Sequence, residues 1–463
     1  MTRQHVKLGL VYSGIGRHSS AWRLPEADAD GYTDPTLVSE GVKIAERGLF
    51  DFFFVGNSLT SSAHRGNFAY TGRNVQASHD HLFAIEGFTL MAYAAAFSQK
   101  VGLVVTFNAT YHDPFHIARV TATLDHLSGG RLGLNIVTGS DLSAAHNFGR
   151  ERHLDNADRY DRVEEFVQVL RDLWDSWEDG WLVADKERGI YHDVSKARRV
   201  DHTGKHFSIR GPLNFPRPPQ GHVPFMHPGY SERSLEFAAK YAEMRFIQWR
   251  HAEWNKAYYA DIKSRVVRHG RPPEDHLLIA GITPYVAENA RDAHAKFRQV
   301  QDLNTNVFVP EVLSEQFGID LTGRTGTDRV LAAIDRTLIP EKAWIVDNAI
   351  ASFDDEDITL EDLTHYLGNN PMSQPAVVGD AKQLADFVES NFRENAFDGL
   401  AICQPYWPGP AAAFVDLVVP ELQRRGVFRT EYTTSTLRDH LGIKPAPNGL
   451  AERAALAGQG GAA

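Results

Sequence analysis

Residues 42–55, VKIAERGLFDFFFV, carry the reading of the fold. An amphipathic stretch halts at Gly48, and an almost unbroken apolar run follows with no loop between. The same unit returns along the chain. Apolar runs occur at 6–13 (VKLGLVYS), 50–57 (FDFFFVGN), 101–108 (VGLVVTFN), 131–139 (RLGLNIVTG), 223–229 (VPFMHPG), 244–249 (MRFIQW), 277–286 (LLIAGITPYV) and 397–404 (FDGLAICQ). Strict alternation would mark strands with one wet face. Near-continuous runs suit parallel strands covered on both faces, with helices as crossovers. Eight such units predict the α/β class and a (β/α)8 TIM barrel.

The spacing is uneven, since the fourth run ends at 139 and the fifth begins at 223, while the seventh ends at 286 and the eighth begins at 397. Two long insertions, about 140–222 after strand 4 and about 302–380 after strand 7, therefore decorate one barrel domain over 1–445. Excursions of this length in a compact enzyme form lids or pocket walls. The first holds RYDRVEEFVQVLRDLWDSWEDG, where Trp174, Trp177 and Trp181 repeat at three and four and predict a core-facing helical stripe. Irregular or hairpin structure is expected after it. The second contains TNVFVPEVLSEQFGIDL and ITLEDLTHYLG. Low complexity is confined to AERAALAGQGGAA, which predicts a disordered tail over 446–463.

With 463 residues, 43% of them hydrophobic and 23% charged, the chain can bury a large core and is neither fibrous nor disordered. Lys and Arg number 48 against 59 Asp and Glu, and no long basic run occurs, which argues against nucleic acid as a partner. No apolar stretch reaches the length of a membrane span, and the start MTRQHVKLGLVYSGIG lacks a secretory core. A cytoplasmic protein with no membrane partner is expected. Cys403 is the single cysteine, so an internal disulfide and Cys-based metal sites are excluded; within GLAICQ it reads as a buried structural thiol.

Chemistry in such a barrel gathers where the strands end. Ser13, Asn57, Thr106, Asn108, Asn135, Thr138, His227, Gln248 or Trp249, Tyr285 and Gln404 close the runs. They are polar but scarcely charged, unlike the lining of a metal hydrolase or a two-carboxylate glycosidase. Amides and hydroxyls suit a planar, polar cofactor that brings its own reactivity. Among the histidines, His79/His81, His112/His116 and His202/His206 are possible metal pairs. Asp113-Pro114 interrupts the second and a glycine-containing loop holds the third, so no metal site is predicted. No Walker loop, nucleophile elbow or dinucleotide fingerprint is present. More telling is HPGYSERSLEFAAKYAE (227–243), where Gly, Tyr and Ser stand ahead of a helix whose first amides would face an anion such as phosphate. Ser231 could equally act only as the helix N-cap.

Four stretches carry a resemblance: TYHDPFHIARVTATLDHLSGGRLGLNIVTG (110–139), NFGRERHLDNADRYDRVEEFVQVLRDLWDSWEDG (147–180), VDHTGKHFSIRGPLNFPRPPQGHVP (200–224) and the C-terminal 397–442 beginning FDGLAICQPYWPGP. Together they resemble the flavin-dependent monooxygenases of the bacterial-luciferase superfamily, in the branch of the nitrilotriacetate, dibenzothiophene-sulfone and long-chain alkane monooxygenases. The resemblance spans nearly the whole chain and implies the same barrel. It implies an enzyme that takes reduced FMN from a separate NAD(P)H:flavin reductase and uses O2 as cosubstrate to oxygenate a small organic molecule, in some members cleaving a C–N or C–S bond. A homodimer or homotetramer is implied as well. The flavin performs the hard step, and the protein positions it and excludes water.

Residue by residue, the resemblance implies that Thr106 and Asn135 stand near the reactive edge of the flavin, where a hydroxyl and an amide hold dioxygen. Thr138 and Gly139 occupy its Val-Thr-Ser position beside the ring. His153 and Tyr160 match a His-x6-Tyr pattern that reaches the phosphate, and Gly229-Tyr230-Ser231 match the phosphate loop. Three departures stand out: Asn57, still a cofactor-binding candidate, replaces the usual acidic residue after strand two, Gly139 replaces a serine, and His227-Pro228 replaces Gln-Ala ahead of Gly229. His18, Trp22, Phe54, Trp249 and Gln316 are the substrate-facing candidates, the last standing where some sulfone-oxidising relatives have a histidine. A deazaflavin-dependent oxidoreductase of the same superfamily and a flavin-binding paralogue without catalysis are the alternatives.

Overall fold

The computed structural model describes residues 5–61, 84–139, 142–304, 308–368 and 374–453. The eight runs become β1 (Lys7–Tyr12), β2 (Phe52–Val55), β3 (Gly102–Asn108), β4 (Leu132–Val137), β5 (Phe225–Met226), β6 (Met244–Gln248), β7 (Leu277–Ala287) and β8 (Gly399–Ile402). Their order in the sheet is β6-β5-β4-β3-β2-β1-β8-β7, and β6 also pairs with β7. The sheet thereby closes on itself, and the fold is a (β/α)8 barrel. The long excursions leave after β4 and after β7.

The chain divides into two compact units, one of residues 1–86, 246–263 and 277–431, the other of 87–245, 264–276 and 432–463. In the first, β1 runs parallel between β8 and β2, with Leu8 beside Leu400 and Leu10 beside both Ile402 and Phe53. Helix α1 (Pro35–Arg47) leads into β2; Asp34 accepts a hydrogen bond from the Thr36 amide and Pro35 fixes the first turn. A further strand, Ala376–Asp380, runs parallel beside β7 and has no counterpart among the eight expected runs. Leu313, Phe317, Ile345, Leu363 and Tyr366 of the second insertion belong to one apolar cluster that also takes in Ala21, Leu24, Tyr285 and Phe297.

In the second unit, β3 and β4 pair along their length, β5 adds beside β4, and Met244 of β6 pairs with Met226 of β5. Helix α2 (Pro114–Leu127) begins where a break was expected, because Asp113 caps the Phe115 amide and Pro114 takes the first helical position. His112 consequently lies outside the helix and His116 within it. Helix α3 (Asn156–Trp174) ends at its first tryptophan, so the expected three-tryptophan helical stripe is not formed. Trp174 is fully buried, whereas Trp177 packs edge-on to Trp181 and His192 in the hairpin that follows.

A second hairpin, 202–209, is clasped to α3 by Glu165, whose carboxylate accepts from His202 Nε2 and from the His206 and Phe207 amides at 2.9 Å each. Gly204 permits that clasp, since a Cβ there would lie 2.2 Å from Glu165 Oε1. Residues 446–453, expected to start a disordered tail, are anchored: Asn448 Nδ2 donates to the Asp175 carbonyl and the Gly449 amide to the Asp175 carboxylate. Residues 454–463, and His79 and His81, lie outside the described residues.

Candidate functional site

Thr106 and Asn135 face each other across the β3–β4 ladder. Asn135 Nδ2 donates to Thr106 Oγ1 at 2.9 Å, and both side chains are buried. The Thr106 oxygen is used as acceptor, so its own proton remains for a bound molecule. Asn135 Oδ1 is buried without a hydrogen-bond partner. One donor and one acceptor therefore stand side by side at the strand ends, in a place where an unsatisfied amide is costly.

One turn further on, Gly139 has φ +66°, and a Cβ there would lie 2.4 Å from Asn108 Nδ2. The hydroxyl missing at 139 is thus answered by an amide from β3. Asn108 is held in that pose by its Oδ1, which accepts from the Thr110 amide at 3.0 Å, while Thr110 Oγ1 donates to the Thr138 carbonyl at 2.7 Å. Along the same wall, the Tyr111 hydroxyl meets His153 Nδ1 at 2.6 Å and the rings lie nearly parallel. The Arg150 guanidinium lies over the Tyr111 ring and donates to the Thr110 carbonyl. His153 Nε2 is a second buried polar atom without a partner.

The β5 end leads into helix α4 (Glu232–Tyr241). Ser231 is its N-cap, with Oγ accepting from the Ser234 amide at 3.3 Å. Capping uses the oxygen as acceptor and does not consume the hydroxyl proton, so the cap and the anion readings are compatible. Gly229 adopts φ +106°, and a Cβ there would sit 2.7 Å from Ser234 Oγ and 3.9 Å from the Tyr160 oxygen. Behind the loop lies Arg245, fully buried, whose guanidinium donates to the Gly229 carbonyl. His227 binds the Ile136 carbonyl through Nδ1 at 2.6 Å, while its Nε2 faces Ser234 Oγ at 3.0 Å and Tyr160 Oη at 3.3 Å. Burial, with the nearby Arg245 charge, pushes its pKa down to about 3, against the pull of the Ile136 carbonyl. The ring is neutral at working pH.

The second unit thus brings together Thr106 with Asn135, Thr138 and Gly139 with Asn108, and Tyr160 with the Gly229-Tyr230-Ser231 loop. His153 stands with Tyr111. The other candidates lie in the first unit. His18 is buried and accepts from the Ser20 amide, and Trp22 is half-buried in a short 3-10 turn. Phe54 stacks on Phe246, Asn57 is half-buried just beyond β2, and Gln316 is half-buried on the helix Pro310–Phe317. Trp249 is buried, with its ring edge-on against Phe387 and Phe397. Cys403 is fully buried, and burial pushes its thiol up to about 12, as befits an inert side chain. Ser234, Arg245 and Tyr111 escaped the sequence reading. Only Arg245 left a signal there, a lone charge inside the apolar run MRFIQ.

Among the described residues, no group of three His, Cys, Asp or Glu side chains is placed to hold a metal ion. No described helix is long and apolar enough to cross a membrane. The second unit offers instead a cradle of backbone amides and hydroxyls at a helix N-terminus, a buried guanidinium behind it, and the unpaired Asn135 Oδ1 and His153 Nε2. These fit a phosphorylated, planar cofactor. A (β/α)8 barrel furnished in this way is an oxidoreductase of the flavin-dependent class. The chain belongs to the luciferase-like monooxygenase family, whose sequence pattern it matches over residues 26–398.

It is 38% identical to nitrilotriacetate monooxygenase component A of Aminobacter aminovorans over 97% of this chain and 99% of the relative. It is 36% identical to the N-acetyl-S-(2-succino)cysteine monooxygenase of Bacillus subtilis, again over 97% and 99%. The crystal structure of a long-chain alkane monooxygenase superimposes with a TM-score of 0.77 at 29% identity, covering 98% of this chain and 100% of that one. The family works with reduced flavin and dioxygen, and its members in this branch act beside a separate flavin reductase.

Proposed function

We propose that the protein is the oxygenase component of a two-component system, taking reduced FMN from an NAD(P)H-dependent reductase and using O2 to oxygenate a small organic molecule. The observation that carries this reading is the loop Gly229–Ser231 at the α4 N-terminus, with Tyr160 beside it and Arg245 behind it. The amides and the Ser231 hydroxyl would hold the phosphate, with Tyr230, Tyr160 and His153 completing the enclosure. Thr138, Gly139 and Asn108 flank the ring, with Asn57 as a further contact. Bound reduced flavin supplies the electrons that activate dioxygen. The Thr106 hydroxyl would donate to an oxygen atom bound beside it, and Asn135 Oδ1 would accept from a proton-bearing partner there.

His18, Trp22, Phe54 and Gln316 of the first unit select the substrate. Relatives that act on nitrilotriacetate and on a thioether of cysteine make a molecule with a cleavable C–N or C–S bond the first choice for screening. The active form is a cytoplasmic homodimer or homotetramer. Anaerobic titration with reduced FMN followed by rapid mixing with O2 tests the reading: a transient flavin absorbance, distinct from the oxidised and reduced spectra, is expected. Absence of any oxygen-dependent species together with turnover of reduced deazaflavin would replace this reading by a hydride-transfer enzyme.

A further inference from the structure

Behind the phosphate loop, the hydroxyl protons of Tyr160 and Ser234 face more acceptors than two protons can serve. His227 Nδ1 lies 2.6 Å from the Ile136 carbonyl, which can only accept, so Nδ1 carries the hydrogen. With the ring neutral, Nε2 has a lone pair and no proton. Two hydroxyls face that lone pair, Ser234 at 3.0 Å and Tyr160 at 3.3 Å. Ser234 has a second acceptor at 2.9 Å, the Pro228 carbonyl, and one proton to give. Tyr160 also has one proton, and its oxygen lies at the Gly229 turn.

Two arrangements keep the buried Nε2 lone pair satisfied. In the first, Tyr160 donates to His227 and Ser234 to Pro228, which satisfies both acceptors but leaves Tyr160 with no proton for a ligand. In the second, Ser234 donates to His227, and the Tyr160 proton swings toward the loop. The second arrangement gives up the Pro228 bond, so it is favoured only when an anionic acceptor repays Tyr160 with a charge-assisted bond.

We propose that Tyr160, His227 and Ser234 form a two-position hydroxyl relay that is switched by a phosphate monoester entering the Gly229–Ser231 loop. The inference rests on the phosphate-loop reading given above. No covalent bond changes: two O–H bonds rotate and every proton stays on its own oxygen or nitrogen. His227 is a positioning residue, and Ser234 acts on phosphate affinity without touching the phosphate. A side-chain amide can imitate the neutral imidazole, with NH2 toward Ile136 and the carbonyl oxygen toward the hydroxyls, so His227→Gln preserves the relay.

Oxidised FMN and riboflavin differ by the phosphate alone, and the ratio of their affinities, read by flavin fluorescence quenching on the full chain, isolates the relay. Ser234→Ala is expected to narrow the preference for FMN by about tenfold or more, the value of one hydrogen bond to a charged group, with riboflavin binding unchanged. In a Tyr160→Phe background the same substitution is expected to change the ratio no further, because the proton it controls is gone. His227→Gln is expected to keep the wild-type ratio, and Ser234→Ala within it the full loss. An equal loss from Ser234→Ala with and without the Tyr160 hydroxyl, or none in either, overturns the relay while leaving the phosphate loop intact. Equal affinity of the unaltered protein for FMN and riboflavin overturns the phosphate-loop reading itself, and the relay with it.

Discussion

Asn108 and Gly139 divide one small volume between them, and the division shows how a residue can be lost and its polarity kept. The chain has no side chain at 139, and the Asn108 amide fills the place where one would begin. Restoring a serine there would meet both a left-handed backbone, φ +66°, and the Asn108 nitrogen. Gly139→Ser is therefore expected to destabilise the protein by about 1–2 kcal/mol from the backbone alone. Adding Asn108→Ala should recover only the steric share; urea unfolding of the two variants measures the difference. His227 supplies a second residue-scale test. Its pKa of about 3 in the folded state lies below the ordinary 6.5, so below pH 6.5 the unfolded chain takes up a proton that the native ring refuses. Stability is thus full above pH 6.5 and falls as pH drops toward 3, by up to about 1.4 kcal/mol per unit. Relative to His227→Gln, the unaltered protein should lose roughly 2 kcal/mol between pH 7.5 and pH 5. Parallel stability curves for the two proteins would show that the ring is protonated in both states alike.

Helix α4 and the clasped hairpin carry their arguments at the level of elements. Ser231 both caps α4 and keeps a hydroxyl proton that the cap does not consume, and the two tasks separate by substitution. Ser231→Ala should cost about 1 kcal/mol of stability and Ser231→Gly only a few tenths. Both should weaken reduced-FMN binding equally, by roughly 1.5–3 kcal/mol, if the hydroxyl meets the phosphate. Calorimetric melting and anaerobic titration give the two readouts. In the hairpin 202–209, burial pushes the Glu165 carboxyl up, but the bonds from His202, His206 and Phe207 outweigh it and hold it below the usual range. Glu165→Ala strips two amides of their acceptor, and their hydrogen exchange should quicken by a factor corresponding to roughly 1.5–3 kcal/mol. Glu165→Gln keeps an oxygen and should show a smaller effect. The start of α4 was legible in the sequence because capping is local, a serine followed by a helical pattern. The clasp was not, because Glu165 and His206 meet only once the first insertion has folded back.

At the scale of the whole molecule the same distinction explains what the sequence discloses. Seven barrel strands lie within the apolar runs read from it and β7 overruns its own by one residue, since a strand covered on both faces must be apolar at nearly every position. The strand Ala376–Asp380 escaped because AVVGD is short and ends in the cap of the next helix. The polar partners behind the site escaped for a different reason: Ser234 and Arg245 are ordinary residues until the fold sets them around Gly229. Barrels also separate labour between their ends, chemistry where strands finish and stability where they begin. At the starts of β1, β7 and β8 the carboxylates Asp51 and Asp398 act as staples. Asp51 accepts from the Leu8 amide and pairs with Arg429; Asp398 accepts from the Leu278 amide at 2.9 Å, from Tyr259 Oη at 3.0 Å and from Lys263 Nζ at 3.0 Å. The Lys263 side chain is only 12% exposed and Asp398 2%. Asp398→Asn would remove the carboxylate that pairs with a largely buried ammonium and turn an NH2 toward groups that already donate. A loss of about 3–5 kcal/mol is expected, read as a lowered urea midpoint. The same variant, at a temperature where it is folded, should keep the preference for FMN over riboflavin unchanged. A weakened preference at full stability would contradict the division, because it would make a strand-start staple part of cofactor recognition.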